Sequence, residues 1–476
     1  MTSTVNASAA LELHPDRLLP ADPTARAVAR RLYEAVRELP IVSPHGHIDP
    51  VILRDDVPFK DPAQLFVTPD HYVTRLLHAS GVPLTALGVG QGPLSDAAAR
   101  EAWRLLCTSW SVFRGTPVRY WLESELSEIF DVTVRPSAAT ADAIYDHLAE
   151  RLAQPAFRPR ALYDRFRIEA LSTTDDPCSD LSVHAALTAD PTWHGRVLPT
   201  FRPDRHLEAA EPGWPAAVAE LGRASGIDTS TYAGWVEAME DRRRYFQQHG
   251  ATAADHAHVD AGTEPLEAHQ AEAVYRSVLA GTADPAQGVA LRRHMLLEMA
   301  RMSTEDGMTM MLHTGVRRGH HRPSLAAFGP DTGHDIPIRD DFTDPLRPLL
   351  ERFGTHPNLR LVLFTLDETT FSRELAPLAG FYPAVYIGVP WWFLDAPEAV
   401  RRWRSAVTET IGFSRTSGFI DDTRAYCSIP ARHDMSRRLD SGYLAGLVVE
   451  HRLDEDEAFE TAVDLVSVRS QEVFGL

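Results

Sequence analysis

Short aliphatic and β-branched runs recur along the whole chain, and most of them end in a polar or ionisable residue. They are Leu39 to His47, Ile168 to Asp176, Val197 to Arg202, Thr252 to His258, Met308 to Gly315, Leu359 to Leu366, Val385 to Pro390 and Gly418 to Asp422. The stretches between them are long enough for helices, so strand and helix alternate as in a parallel α/β fold. Eight such runs are what a closed (β/α)8 barrel of the TIM type needs. In that fold the loops after the strands converge on one face. The reactive residues at the run ends are therefore expected on a common rim.

About 120 residues separate the first two runs, far more than one crossover helix requires. Helical periodicity over Asp96 to Cys107 and Ala139 to Leu152 places a helical insertion domain after the first strand. The expected division is 1–54 for the N-terminal segment and first strand, 55–165 for the insertion and 166–476 for the rest of the barrel. Leu207 to Gly250 also has helical composition, broken at Pro212 and Pro215. Gly88-Val-Gly-Gln-Gly92 follows no strand and reads as a loop rather than a dinucleotide fingerprint.

Composition narrows the partners. A formal charge of -19, with no basic run among 47 Lys and Arg residues, repels phosphate backbones and anionic lipid, so neither nucleic acid nor membrane is expected. Asp454 to Glu457, the longest acidic block, reads as a solvated helix start. Cys107, Cys178 and Cys427 are odd in number and far apart, which supports neither a disulfide framework nor a thiolate zinc site. Met1 to Pro23 lacks a charged start followed by an apolar stretch, and no apolar run approaches a membrane span. A cytoplasmic protein is expected.

His45 and His47 stand two apart on a predicted strand, which places both imidazoles on one face, and Gly46 lets other backbone approach. Two neutral imidazoles can share one cation, with Zn2+ or a similar first-row metal the first choice. Asp422 ends the last run and faces the first strand across a closed ring, where it could bind the cation and also take a proton. His313 in Met-Leu-His-Thr-Gly and the Asp255-His256 pair supply further donors. Arg202, Arg318 and Arg424 follow strand ends and could fork onto a substrate carboxylate, although Asp204 is also available to Arg202. Asp175 and Asp176 read either as a proton-handling pair or as a polar turn before a helix.

These residues resemble, in order, the motifs of the uronate (glucuronate) isomerase family of the amidohydrolase superfamily. The resemblance runs from about His45 to Arg438 and includes His45-Gly-His47, Thr173-Thr-Asp-Asp-Pro177, Phe201-Arg-Pro-Asp204 and Asp255-His256. It continues through His313-Thr-Gly-Val-Arg-Arg318, Trp391-Trp-Phe393, Asp422-Thr-Arg424, Arg432-His433 and Arg437-Arg438. Asp70-His71-Tyr72 resembles the family's Asp-His-Tyr, which would bring Tyr72 over the barrel mouth.

The resemblance implies isomerisation of a hexuronate, D-glucuronate to D-fructuronate or D-galacturonate to D-tagaturonate. It implies one divalent ion on His45, His47 and Asp422, with His313 as a further candidate ligand. The sugar acid falls to Arg202, Trp391, Arg318 and His71, and catalysis to Asp422, Tyr72 and Arg424. A homo-oligomer is the family habit. The chain departs from the family pattern at Val73-Thr74, His78, Gly319-His320-His321 and Leu394, positions expected around the substrate pocket. The alternative is a mononuclear metal-dependent hydrolase of the same superfamily, acting on a sugar lactone or related acid. Ala253-Ala254-Asp255-His256 lacks the lysine that often holds a second metal in such hydrolases, which favours the isomerase.

Overall fold

The computed structural model describes residues 10–476, so residues 1–9 of the expected N-terminal segment lie outside the described part. The strands are β1 (Ile41–Ser43), β2 (Ile168–Ser172), β3 (Arg196–Leu198), β4 (Ala253–His256), β5 (Thr309–His313), β6 (Val316–Arg317), β7 (Ile336–Pro337), β8 (Leu361–Phe364) and β9 (Val385–Ile387). β1, β2 and β3 pair in parallel, as do β4, β5, β8 and β9, while β6 and β7 form a small antiparallel pair of their own.

Phe201 joins the two parallel sheets through bridges to Asp175 and Ala254. On the far side Thr416 bridges to Ile387, and the His47 N–H donates to Thr423 O at 3.0 Å, which returns the chain to its first strand. The ring is thus closed, and the fold is a (β/α)8 barrel. Every residue of β4, β5 and β8 is buried, as expected of parallel strands covered on both faces.

Two expectations are corrected. The Gly418 to Asp422 run is not a regular strand, because Gly418 (φ 75°) and Asp422 (φ 40°) are left-handed and interrupt the extended backbone. β1 ends at Ser43, so His45 and His47 lie in the loop beyond it, and strand alternation is not what brings them together. The other runs shrink in the same way, leaving Arg202 beyond β3 and Asp176 beyond β2.

The chain between β1 and β2 is built mainly of helices, among them His71–Ala79, Asp96–Thr108, Pro117–Ser124 and Ala141–Leu152. In Asp96–Thr108 the Ser95 side chain caps the start, and Ala99, Ala102, Trp103, Leu106 and Cys107 form the buried face at helical spacing. Pro215 does not break the later helical stretch; it sits in the first turn of Trp214–Ser225, where no N–H is missed. Asp454 caps Glu455–Val463, as the acidic block predicts. Among the described residues no helix is long and apolar enough to cross a membrane, and the three cysteines are unpaired.

A Cβ at position 418 would approach the Ser470 backbone nitrogen to 2.8 Å and would have to adopt a left-handed backbone. Gly418→Ala is therefore expected to lower stability by at least about 1–2 kcal/mol. Thermal and denaturant unfolding measure this, and an unchanged midpoint would contradict the account.

Candidate active site

The site is assembled from the ends of β4 and β5 and from loops beyond the other strands. His45 Nε2 lies 3.5 Å and His47 Nε2 3.0 Å from Asp422 Oδ1. Donor atoms of His45, His313 and Asp422 all fall within 4.8 Å of one another. Asp422 is aimed by its neighbours: His433 Nε2 and Asp421 Oδ2 are 3.1 Å apart, and buried Arg432 donates to the Asp421 carbonyl at 3.4 Å. Its left-handed backbone, like that of Trp392 (φ 49°), costs about 1–3 kcal/mol, a strain typical of functional sites.

Behind the cluster lies Asp255, the third residue of β4. Its Oδ1 pairs with His313 Nδ1 at 2.7 Å, and its Oδ2 is 3.3 Å from Arg202 Nη1 and 3.9 Å from His45 Nε2. Arg202 also donates to Asp204 at 2.7 Å. His313 therefore turns Nε2 toward the cluster, where that atom and Asp422 Oδ1 are buried without a hydrogen-bond partner. Orphaned acceptors of this kind, converging from the end of β5 and from the irregular segment at Asp422, fit a cation.

Electrostatics favour the same reading. Burial lowers His45 to about 4, against the pull of Asp255 and Asp422, so its imidazole is neutral at neutral pH, the form that binds metal. Burial alone would raise Asp422, but His45, His47 and His313 outweigh it and hold the carboxyl well below the usual range. Burial pushes the Tyr72 phenol up despite nearby Arg432, so it keeps its proton.

The Asp70 side chain accepts from the Tyr72 N–H at 2.8 Å and so caps the helix His71–Ala79. Its first turn thereby delivers His71 and Tyr72 to the mouth. His71 stacks on Trp392, with centroids 5.6 Å apart and planes 7° from parallel, and the Trp391 ring meets His313 edge-on at 4.6 Å. Arg424 donates to Asp331 at 2.8 Å, and Arg318 reaches both Asp331 and Asp335 at 3.2 Å. The ten residues assigned to metal, substrate or catalysis by the resemblance line one cavity of about 1080 Å³: His45, His47, His71, Tyr72, Arg202, His313, Arg318, Trp391, Asp422 and Arg424.

Other residues singled out in the sequence lie apart from this cluster. His256 turns to the Met311 carbonyl at 3.0 Å and does not join the cluster. Asp175 and Asp176 are not a pair: Asp175 accepts from Thr173 and is raised by burial to about 6, whereas Asp176 takes Arg205 and His206. Of the departures from the family pattern only Gly319 lines the cavity; Val73 and Thr74 are buried elsewhere, and His78 sits at the surface near Val82 O. Asp331, Asp395 and the stacking role of Arg432, whose guanidinium lies 4.9 Å from the Tyr72 ring centre, were not anticipated.

Comparison with known proteins decides the family. The profile of the glucuronate isomerase family matches residues 23–474. The chain belongs to the glucuronate isomerase family. Its enzyme class is accordingly that of an intramolecular isomerase. A uronate isomerase of Cutibacterium acnes is 54% identical over 466 residues, covering 98% of this chain and 99% of that one. The crystal structure of glucuronate isomerase from Caulobacter crescentus superposes with a TM-score of 0.96 at 45% identity, over 98% of each chain. That of a uronate isomerase from Thermotoga maritima gives 0.91 at 28% identity, over 97% of this chain and 99% of that one.

Because Asp255 orients His313 toward the glucuronate isomerase family member's candidate metal cluster, Asp255→Asn is expected to weaken divalent-metal affinity by about 10–100-fold. Calorimetric titration with Zn2+ checks this; unchanged affinity would remove Asp255 from that role.

Proposed function

We propose that the protein interconverts the aldose and ketose forms of a hexuronate, D-glucuronate with D-fructuronate, D-galacturonate with D-tagaturonate, or both. The observation that carries this reading is the meeting, in one cavity of a uronate isomerase family member, of a cation-ready cluster with arginines suited to a carboxylate. His45, His47, Asp422 and His313 would hold one divalent ion, with Zn2+ the first choice. When bound, the ion supplies Lewis-acid polarisation of a sugar oxygen.

Arg202 and Arg424 hold the substrate carboxylate, Arg318 and His71 complete that polar rim, and Trp391 supports the sugar face. Asp422 takes the proton from C2, and the protonated Tyr72 phenol donates to O1 as charge develops there. The O2 proton then passes to the Tyr72 oxygen as Asp422 returns its proton to C1, which gives the ketose and restores both side chains with no net change in atoms. Burial of Tyr72 keeps water from competing with this transfer. In this reading residues 55–165 form an insertion domain between 1–54 and 166–476, contributing His71 and Tyr72, and the protein works in a reducing cytoplasm.

A ketose-formation assay on D-glucuronate and D-galacturonate should show turnover of at least one, lost on chelation. Absence of turnover in metal-loaded protein would overturn the proposal. Tyr72→Phe should reduce kcat by about 10²–10⁴-fold with little change in KM. Asp422→Asn should abolish turnover while circular dichroism stays that of the parent; activity in the folded variant would exclude Asp422 as the base.

A further inference from the structure

The loops after β2 and β3 bring together a second set of donors, separate from the cluster at Asp422. Asp176 and Cys178 lie in the loop after β2, and His206 in the short helix Asp204–Leu207 after β3. His206 Nε2 is 3.2 Å from Asp176 Oδ1 and 3.8 Å from Cys178 Sγ, and all three atoms lie within 4.8 Å of one another. None of these residues lines the central cavity, and the proposed isomerisation assigns none of them a part.

The distances can be compared with those of a real site. Tetrahedral zinc, with bonds of about 2.0 Å to nitrogen and oxygen and about 2.3 Å to sulfur, sets its donors about 3.3 Å (N to O) and about 3.6 Å (N to S) apart. The separations of 3.2 and 3.8 Å match both edges. A catalytic Cys-His-Asp relay is a poor description, since it would use opposite ring nitrogens. Here thiol and carboxylate meet the same Nε2, and Nδ1 makes no hydrogen bond.

One N–H cannot point at both partners, whereas a cation among the three satisfies them together. Thiolate and carboxylate neutralise a divalent ion. Arg205 grips Asp176, at 2.5 Å to Oδ2 and 3.2 Å to Oδ1, and the Cys178 N–H reaches Oδ1 at 2.8 Å, so the carboxylate is held in place. His206 is fully buried, while the Asp176 side chain is 34% exposed and offers a way in for an ion.

We propose that Asp176 Oδ1, Cys178 Sγ and His206 Nε2 form a second metal site, selective for a thiophilic divalent cation such as zinc, with the fourth position open to water. The site clasps the loop after β2 to the segment that carries Arg202. That loop already receives the Arg202 N–H on the Asp175 carbonyl at 2.9 Å and donates from Thr174 to Gly46 O at 2.8 Å, so the clasp braces the back of the active site. Burial pushes the Cys178 thiol up to about 12, and ion binding therefore releases its proton.

Cd2+ titration of full-length Asp422→Asn protein, followed by thiolate-to-metal charge-transfer absorption, tests the proposal. Histidine and carboxylate ligands give no such band, and Cys107 and Cys427 are buried in the core. The expected result is a band that saturates at one equivalent, with proton release and a higher Tm. It should vanish in Cys178→Ser and in Cys178→Ala, and His206→Gln should weaken the binding by roughly tenfold or more. No band, a band that survives loss of Cys178, or a His206→Gln variant that titrates like its parent would overturn the assignment. None of these readouts depends on isomerase turnover, so the site stands or falls apart from the proposed reaction.

Discussion

Asp255 carries its carboxylate in a place with almost no water, and three segments of the barrel answer to it: Arg202 after β3, His313 at the end of β5 and His45 after β1. An isolated carboxylate at such a site would take up a proton or destabilise the region; paired, it becomes the fixed point around which the others are oriented. Burial works against ionisation of Asp255, yet Arg202, His313 and His45 hold it well below the usual carboxylate range. The pairing of β4 with β5, which sets Asp255 opposite Met311, therefore matters beyond its hydrogen bonds. A slip of one residue would turn this carboxylate to the other face of the sheet and leave Arg202 and His313 without their partner.

From that point the site is layered outward. Asp255 sets the tautomer of His313, His313 and the two loop histidines face Asp422, and Asp422 is steadied from behind by Asp421, Arg432 and His433. Arg432 also pairs with Asp395, which burial raises to about 7, and its guanidinium lies 3.7 Å from the Trp121 ring centre as well as near Tyr72. The helices between β1 and β2 are thereby tied to the helix Ile429–Val449, which carries Arg432, through one side chain. The residues proposed for substrate binding and catalysis thus rest on a shared frame of buried ion pairs, each of which is tolerable because its partners are present.

Much of the barrel was legible because strands buried on both faces must be written in aliphatic residues, as β4, β5 and β8 are. Their ends were not, since polar residues that leave the ladder to turn into the mouth look, in sequence, like the next residue of the strand. The last run shows the limit best: Phe419 and Ile420 read as strand, but Gly418 and Asp422 take left-handed backbone, a choice that Gly and Asp permit without announcing it. His45, His47, His313 and Asp422 could be found because reactive residues at run ends converge in any parallel barrel. Asp331 could not: it lies in a turn-rich Gly-Pro-Asp-Thr-Gly stretch, and its partner Arg424 is 93 residues away. Cys178 carried no signal by itself, and acquires meaning only through the fold that sets His206 beside it.

The position of Asp331 between Arg424 and Arg318 gives the mouth an occupant of its own. Burial would raise this carboxyl, yet the arginines hold it down to about 2, so it stays charged across the neutral range. Under the proposed function, a sugar acid arriving there would meet guanidinium groups already engaged by an anion. Recognition would then be a displacement in which one carboxylate takes over from another, with little change in the charge the arginines feel. A neutral sugar would have no carboxylate to exchange, so under the proposed function the Asp331 latch would favour acids over neutral sugars.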